Sequence, residues 1–328
     1  MAALALFGEF ASSLRALLPY SPEMRKQMFY SYMASRRKVL VTAAVGGDYF
    51  ARWKKRSWPS WKAFADRHSF GILCLQESLV EEAAHPGWNK FKLLDELGGW
   101  VQDDAHLVIM DADQVISPLA PDLSGAFTEE KIGVVPQNYG RYQKILSFLR
   151  RAHIDSEYPL NSMLLAGPGV PDFYSAGLIT VPASNRSDLA EFSVYGPQDP
   201  SSEIDGGGDQ MPFLNFLSRR KINLLPNEWQ GIWPQILATR YPFLYLSRDK
   251  ELSSFALASA LTEFHCVHFS TTWPEKDFWD IDFQPAWEAL FPPINGATSL
   301  TNYVTSDVKP VFYGQLKPPP AFFNRGNI

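Results

Sequence analysis

Short apolar, β-rich runs alternate with longer amphipathic segments in the first third of this chain. The runs are residues 39–44, Gly71–Leu75 and His106–Met110. An amphipathic segment over residues 49–68 separates the first two runs, and a helix predicted over residues 89–97 separates the second from the third. Strands of continuous apolar sequence joined by helices are typical of a parallel sheet that is covered on both faces. The pattern predicts an α/β fold with a mostly parallel central sheet flanked by helices, and ligands bind such sheets at the carboxyl ends of the strands.

One α/β domain with an extension at each end is the simplest organisation of the chain. Residues 1–36 are predicted to form a helical extension, with Ser21 and Pro22 opening its second helix. Residues 37–290 are predicted to form the domain, because no repeat or linker interrupts them. Residues 291–328 contain proline runs and have little periodicity, which predicts an extended tail. Later strands are predicted at residues 132–135, 178–181 and 266–269, and a later helix at Gln210–Leu217.

Composition and charge exclude several classes of protein. With 46% hydrophobic and 20% charged residues among 328, the chain can bury a large core, which excludes a disordered or fibrous protein. A formal net charge of −5 provides no general attraction to nucleic acid or anionic lipid, so no nucleic acid partner is expected. Two cysteines cannot form a disulfide framework, and both lie in apolar runs, which indicates reduced thiols and a cytoplasmic location.

The first 18 residues are apolar but contain Glu9 and Arg15. They are too short and too interrupted to span a bilayer, and they lack the marks of a secretory signal, so no transmembrane segment is expected. The oligomeric state is left open, and a homo-oligomer is one alternative because this apolar segment could pack into a second subunit.

Two aspartates one residue apart follow the third apolar run. Asp111 and Asp113 flank Ala112, and two carboxylates at this spacing can jointly hold a divalent cation. Close carboxylates repel each other and raise a pKa, a cost that a metal relieves. The alternative is a pair of solvated loop acids or turn caps. His268 ends a later apolar strand and is a further candidate ligand, although a lone histidine there is more often a hydrogen-bonded core residue.

Two other segments carry residues suited to a charged ligand. Glycines at 206–208 precede Asp209 and Gln210 at a predicted helix start, where the backbone can approach a bulky ligand closely. The alternative there is a plain helix N-terminus capped by Asp209. Lys90 lies near another predicted helix start, where backbone amides and the helix dipole favour a phosphate. Its alternative is a solvated surface lysine.

Six segments, taken in chain order, carry a resemblance to a known family. They are Val39-Leu40-Val41-Thr42 with Asp48-Tyr49, Trp88-Asn89-Lys90, Val108-Ile109-Met110-Asp111-Ala112-Asp113, the stretch from Tyr174 to Val181, Gly207-Gly208-Asp209-Gln210, and Val267-His268-Phe269. In this order they resemble the glycogenin-like family 8 glycosyltransferases over about residues 38–280. The resemblance implies a GT-A fold and a nucleotide-sugar substrate.

The resemblance also implies a reaction and a set of roles. The reaction is metal-dependent transfer of a sugar from a UDP-sugar to an acceptor hydroxyl, with retention of anomeric configuration. Asp111, Asp113 and His268 would bind Mn²⁺ or Mg²⁺, and the mixed oxygen and imidazole set favours Mn²⁺. Asp209 and Gln210 would be the catalytic residues beside the sugar, with the Gln210 side-chain oxygen facing the anomeric carbon. The residues implied in donor binding are Thr42, Asp48, Tyr49, Lys90, Ala112, Ser175 and Lys276, of which Asp48 and Tyr49 would meet the uridine and the two lysines the diphosphate.

The chain departs from the family pattern at two places. Ser175 stands where the family has an asparagine that touches the transferred sugar. Residues 270–276 replace a glycine followed by Lys-Pro-Trp, so Lys276 would serve the diphosphate from a shifted position. These departures leave the identity of the sugar open more than the reaction class.

Two other functions fit parts of the sequence. In a haloacid-dehalogenase-type phosphatase Asp111 would be the nucleophile and Asp113 the acid and base, but Asp209 lacks the second aspartate that such a site needs. A carbohydrate- or nucleotide-binding protein without turnover is the second alternative. Aromatic residues at 139–174 and 229–245 are candidates either for an acceptor site or for core packing.

Overall fold

The computed structural model describes residues 27–81, 84–137, 173–199, 208–247, 249–270 and 279–290. Within these ranges the chain forms ten strands in two sheets, with nine α-helices around them. The strands are β1 (Phe29–Met33), β2 (Lys38–Ala43), β3 (Gly71–Leu75), β4 (His106–Met110), β5 (Gln114–Ile116), β6 (Ile132–Gln137), β7 (Phe173–Val181), β8 (Ile222–Leu224), β9 (Gly231–Ile232) and β10 (Cys266–His268). The helices are α1 (Gly47–Arg56), α2 (Trp58–His68), α3 (Asn89–Lys92), α4 (Arg186–Tyr195), α5 (Gln210–Leu217), α6 (Trp233–Arg240), α7 (Pro242–Ser247), α8 (Lys250–Glu263) and α9 (Gln284–Leu290).

The larger sheet has seven strands in the described part of the chain, in the order β1-β3-β2-β4-β7-β6-β8. Strands β3, β2 and β4 run parallel, as the alternation of apolar runs and helices predicts. Strand β7 pairs antiparallel with both β4 and β6, and β8 pairs parallel with β6. The predicted α/β class is confirmed, with a sheet that is parallel around β2 and mixed elsewhere. The parallel strands bring their carboxyl ends at Ala43, Leu75 and Met110 to one edge of the sheet.

Side chains alternate between the two faces of this sheet, and both faces are buried. On one face, Leu40, Ile72 and Val108 pack with residues of α1, α2 and α8. On the other face, Leu73 and Ile109 pack with residues of α3, α4 and α5. Because each residue of the central strands faces one core or the other, the strand sequences are continuously apolar.

The smaller sheet consists of β5, β10 and β9. Strand β10 pairs antiparallel with β5 and parallel with β9, so His268 lies opposite Gln114 on one side and Ile232 on the other. Residues 111–113 connect the end of β4, in the larger sheet, directly to the start of β5, in the smaller one. The Asp-Ala-Asp motif therefore lies at the junction of the two sheets.

Residues 29–33 form an edge strand and not part of the helical extension predicted over residues 1–36. Strand β1 pairs antiparallel with β3, from Phe29 opposite Leu75 to Met33 opposite Gly71. Its sequence is rich in aromatic residues, which favour strands, and it covers an edge of β3 that would otherwise offer unpaired backbone groups. Residues 1–26 of the predicted extension and the predicted tail over residues 291–328 lie outside the described residues.

Two of the predicted helices are interrupted. The 49–68 segment forms α1 and α2, which separate at Ser57, with Pro59 in the first turn of α2. The 89–97 segment forms the single α-helical turn α3, followed by a 3₁₀ turn over Leu93–Glu96. Helix α5 has the predicted bounds. Among the helices that the structure describes, none has the length and apolar content needed to cross a membrane.

Candidate metal centre

The junction of the two sheets brings two aspartates next to a histidine. Asp111 and Asp113 lie in the connection from β4 to β5, and His268 is the last residue of β10. The backbone N–H of Phe269 donates to the carbonyl oxygen of Asp113 at 3.0 Å. The N–H of Asp111 donates to the carbonyl oxygen of Gly177 in β7, also at 3.0 Å. Backbone pairing on both sides of the junction therefore fixes the backbone from which the three side chains project.

The three side chains converge on a space suited to a divalent cation. His268 Nε2 lies 3.2 Å from Asp113 Oδ1 and 3.5 Å from Asp111 Oδ2. One potential ligand atom from each residue lies within 4.8 Å of the other two. Asp113 and His268 are 2% and 7% exposed, whereas Asp111 is half-buried. Two carboxylate oxygens and one imidazole nitrogen are a donor set that fits Mn²⁺ or Mg²⁺.

A buried lysine joins this group to the start of α5. Lys90 is 5% exposed, and its Nζ lies 2.9 Å from Asp111 Oδ1 and 2.7 Å from Asp209 Oδ2. Burial acts to lower the pKa of Lys90, but the attraction of Asp111 and Asp209 outweighs burial and raises this pKa above its ordinary value. Lys90 is therefore a fixed buried cation and not a solvated surface lysine.

The buried charges shift each other's pKa values. Burial raises the pKa of Asp111, and Asp113 and Asp209 add to the increase, while Lys90 and His268 oppose it. Burial acts to lower the pKa of His268, but Asp113 and Asp111 outweigh burial and raise this pKa above its ordinary value. Three carboxylates thus share one lysine and one imidazole, which leaves an excess of negative charge when the imidazole is neutral. A bound divalent cation would compensate that excess.

Asp209, a predicted catalytic residue, immediately precedes α5. Asp209 and Asp111 both pair with Lys90, so the ammonium group of this lysine lies between the two carboxylates. A Cβ atom on Gly87 would lie 3.0 Å from Asp209 Oδ1, so the absence of a side chain at position 87 leaves room for this carboxylate. The structure therefore brings the α3 and α5 segments together with the Asp-Ala-Asp motif.

Gln210, the other predicted catalytic residue, binds backbone rather than facing open space. Its side-chain oxygen accepts from the Ala176 N–H at 3.0 Å, and its amide nitrogen donates to the carbonyl oxygen of Tyr174. The pairing of β6 with β7 shifts register between Val134 and Val135, and this bulge leaves backbone groups of β7 without partners in β6. The orientation expected for this oxygen, towards a sugar, differs from the structure because the amide satisfies those backbone groups.

Three predicted donor-site residues are buried. Thr42 lies within β2, and its Oγ1 has no hydrogen-bond partner among the described residues. Ala112 is buried between the two aspartates. Ser175 is buried in β7, where its Oγ accepts from the Gly177 N–H at 3.0 Å. The Ser175 hydroxyl therefore supports the bulged backbone of β7.

Two predicted uridine-binding residues lie in the first turn of α1, beyond the carboxyl end of β2. Asp48 is exposed, and Tyr49 is half-buried with its ring centroid 5.1 Å from that of Trp279. The Trp279 indole N–H donates to Ser57 Oγ at 3.2 Å. Asp48 and Tyr49 therefore come just after a strand that ends at the same edge of the sheet as the strand before Asp111. Lys276 is outside the described residues.

Comparison by sequence, with protein-family models or with curated proteins, finds no match. Comparison of structures finds a glycosyltransferase involved in the glycosylation of the major capsid of PBCV-1, at a TM-score of 0.46 and 9% identity, covering 74% of this chain and 98% of that one. The glycosyltransferase GlyE of Streptococcus pneumoniae TIGR4 follows at 0.42 and 13% identity, covering 77% of this chain and 64% of that one. The galactosyltransferase LgtC, in complex with donor and acceptor sugar analogues, matches at 0.36 and 14% identity, covering 74% of this chain and 94% of that one. All three TM-scores lie below 0.5, a range in which likeness carries no inference about activity.

Two glutamines around His268 have no signal in the sequence that marks them as part of the site. Gln230 Nε2 lies 2.9 Å from His268 Nδ1. Gln114 donates from its amide to the carbonyl oxygen of Gly177, and its side-chain oxygen accepts from the Cys266 thiol at 3.0 Å. Gly177 falls inside a motif of the resemblance, but no spacing connects glutamines at 114 and 230 with a histidine at 268. Only the register of β5, β9 and β10 brings them together.

Proposed function

We propose that this protein is a metal-dependent glycosyltransferase of the GT-A fold, which moves a sugar from a UDP-sugar to an acceptor hydroxyl. The observation that carries the proposal is the convergence of Asp111, Asp113 and His268 with Lys90 and Asp209 at the carboxyl ends of parallel strands. This edge is where α/β sheets bind their ligands. A cluster that combines excess carboxylate with one lysine suits a diphosphate that arrives with a divalent cation.

Asp111, Asp113 and His268 would hold Mn²⁺ or Mg²⁺ together with oxygens of the diphosphate. The bound cation supplies positive charge that stabilises the leaving diphosphate. Asp113 and His268 are buried and backbone-paired, so their ligand atoms keep one orientation. Asp111 is the more exposed of the two aspartates, and we assign it the side of the site that the donor enters.

Lys90 would supply the chain's own positive charge to the diphosphate. Its ammonium is fixed by Asp111 and Asp209, so little reorganisation is needed as charge develops on the leaving group. Lys276 is proposed as a second cation for the same diphosphate.

The proposed reaction retains the configuration of the anomeric carbon. The bond from this carbon to the diphosphate oxygen breaks, a bond to the acceptor oxygen forms on the same face, and the acceptor proton passes to the leaving diphosphate. Asp209, paired with Lys90, would accept hydrogen bonds from the sugar hydroxyls. Gln210 would act by attaching the start of α5 to β7, because its amide binds the backbone there. Gln210 thereby positions Asp209.

The two cysteines support a reducing compartment. Cys74 in β3 and Cys266 in β10 are free and buried. Burial raises the pKa of both thiols, so neither is a reactive thiolate. A cytoplasmic location is therefore part of the proposal.

A panel of nucleotide sugars, incubated with the protein and Mn²⁺, tests the proposed function. We expect release of nucleoside diphosphate from a UDP-sugar, with water as the acceptor when no other acceptor is present. This release should stop when a chelator removes the metal and return when Mn²⁺ is restored. The anomeric configuration of the product, measured by NMR, tests retention, and an inverted product would make Asp209 the general base.

The same incubation separates the other functions. Hydrolysis of phosphomonoesters without turnover of any nucleotide sugar would assign a phosphatase with Asp111 as nucleophile. Saturable, metal-dependent binding of UDP without turnover would indicate a binding protein.

A further inference from the structure

Gln230 contacts the side of the His268 ring that faces away from the aspartates. It lies between the 3₁₀ turn Asn227–Trp229 and β9, and it is 5% exposed. Its amide nitrogen lies 2.9 Å from His268 Nδ1. Its amide oxygen is buried and has no hydrogen-bond partner among the described residues. A buried amide oxygen without a hydrogen-bond partner is unfavourable. A second orientation of this amide, in which the oxygen accepts a hydrogen bond, would remove that cost.

The two orientations of this amide correspond to two forms of the imidazole. With the amide nitrogen donating to Nδ1, the ring proton of neutral His268 sits on Nε2 and points towards Asp113, 3.2 Å away. A histidine that binds a metal through Nε2 needs its proton on Nδ1 and an acceptor for it. A half turn of the Gln230 amide about its last torsion exchanges nitrogen and oxygen, and supplies that acceptor.

The absence of a side chain at Gly177 leaves room for the Gln230–His268 pair. A Cβ atom on Gly177 would collide with Gln230 Nε2 and would lie 2.8 Å and 2.9 Å from His268 Cε1 and Nδ1. The carbonyl oxygen of Gly177 accepts from the Asp111 N–H and from the Gln114 amide. The bare backbone at position 177 thus packs against the pair on one side and against an aspartate of the metal centre on the other.

We propose that Gln230 is a positioning residue that selects the metal-binding tautomer of His268 by turning its amide oxygen towards Nδ1. This inference rests on the proposed function, because it assumes that Asp111, Asp113 and His268 hold a cation. It adds a residue outside the ligand set and gives the orphaned amide oxygen a role.

Mn²⁺ binding, measured by the loss of the free-ion signal in electron paramagnetic resonance, tests this inference without any turnover. Gln230→Met keeps the side-chain volume but offers Nδ1 no acceptor, and we expect its Mn²⁺ affinity to fall by about 10- to 100-fold. Gln230→Glu keeps an acceptor for the Nδ1 proton and should bind Mn²⁺ at least as tightly as the wild type. Gln235→Met, at a buried glutamine of α6, is the matched control and should bind as the wild type does.

The outcomes separate the two levels of the proposal. A wild-type chain that binds no Mn²⁺ would overturn the proposed metal centre, and this inference with it. Wild-type binding that Gln230→Met leaves unchanged would overturn the role of Gln230 and leave the metal centre standing.

A measurement on the unaltered chain covers the case in which Gln230→Met does not fold. In ¹⁵N-histidine-labelled protein with Mg²⁺, which is diamagnetic, the His268 signals are assigned by their loss in His268→Gln. We expect a proton bonded to Nδ1 and none on Nε2 once Mg²⁺ is bound. A proton on Nε2 of the Mg²⁺-bound protein would contradict the inference.

Discussion

The two sheets of this protein are similarly buried but differ in what they bury. The central strands of the larger sheet place apolar side chains such as Leu73 on both faces. The smaller sheet and its adjoining turns bury Asp113, Gln114, Gln230 and His268, none of them more than 7% exposed. Apolar burial stabilises a fold by about 25 cal/mol per Å², whereas a buried ion pair is often no better than an apolar replacement. The larger sheet therefore buries mainly apolar side chains, whereas the smaller sheet adds buried polar side chains to apolar ones such as Val115 and Val267.

Removing the buried lysine that joins Asp111 to Asp209 should have the largest effect on stability. Lys90→Met leaves the carboxylates of Asp111 and Asp209 without their buried counter-charge. We expect the free energy of unfolding to fall by about 3–5 kcal/mol, measured by urea denaturation. In a double-mutant cycle, Asp209→Asn should recover part of the loss, because it removes one of the unpaired charges. If the two substitutions changed the free energy of unfolding in a strictly additive way, Lys90 and Asp209 would not be energetically coupled.

Shortening a side chain in the larger sheet should affect stability alone. Leu73 is fully buried in β3, and Leu73→Ala should lower the free energy of unfolding by about 2–4 kcal/mol through lost burial and a cavity. Its Mn²⁺ affinity should stay within about twofold of the wild type, since its neighbours are apolar. A large loss of Mn²⁺ affinity in the folded variant would contradict the separation of roles between the sheets.

A hydrogen bond inside the smaller sheet should have a more modest effect. Cys266→Ala removes the thiol that donates to the Gln114 side-chain oxygen at 3.0 Å, and we expect a loss of about 1–2 kcal/mol in thermal or urea unfolding. Cys266→Ser keeps a donor at this place and should recover part of the loss. Equal stability of the alanine and serine variants would mean that this hydrogen bond contributes nothing.

A surface ion pair should have the smallest effect. Arg240 and Glu263 are 2.7 Å apart with half-exposed side chains, so solvent screens their attraction. Arg240→Ala should lower the free energy of unfolding by less than about 1 kcal/mol, and the difference should shrink in high salt. A larger loss would show that exposed pairs matter here as much as buried ones.

Much of the larger sheet is predictable from the sequence because its signal is local. The apolar runs that form β2, β3 and β4 are bounded by glycine or by charge, and helix α5 starts after a glycine run at the predicted residue. The edge strand β1 is the exception. Its aromatic residues favour a strand, but Ser31 interrupts the apolar run and no glycine bounds it, so only pairing with the open edge of β3 identifies it as a strand.

The candidate site likewise has one part that the sequence predicts and one part that it does not. Asp111, Asp113 and His268 belong to motifs that the sequence displays, and the structure brings these side chains together. The contacts of Gln230 and the orientation of the Gln210 amide depend instead on strand register and on a bulge in β7. Such features arise from pairing between distant segments, so no local pattern could have predicted them.

The most direct test of the account is the Asp113→Asn variant, measured for turnover and for stability together. We expect metal-dependent nucleoside diphosphate release to fall by about a hundredfold or more, because the substitution removes a buried candidate metal ligand. In metal-free buffer at a pH above the raised pKa of His268, we expect a free energy of unfolding within about 1 kcal/mol of the wild type, because asparagine keeps an oxygen for the neutral imidazole and relieves repulsion from Asp111. Turnover that survives the substitution, or a variant that fails to fold while Leu73→Ala folds, would contradict it.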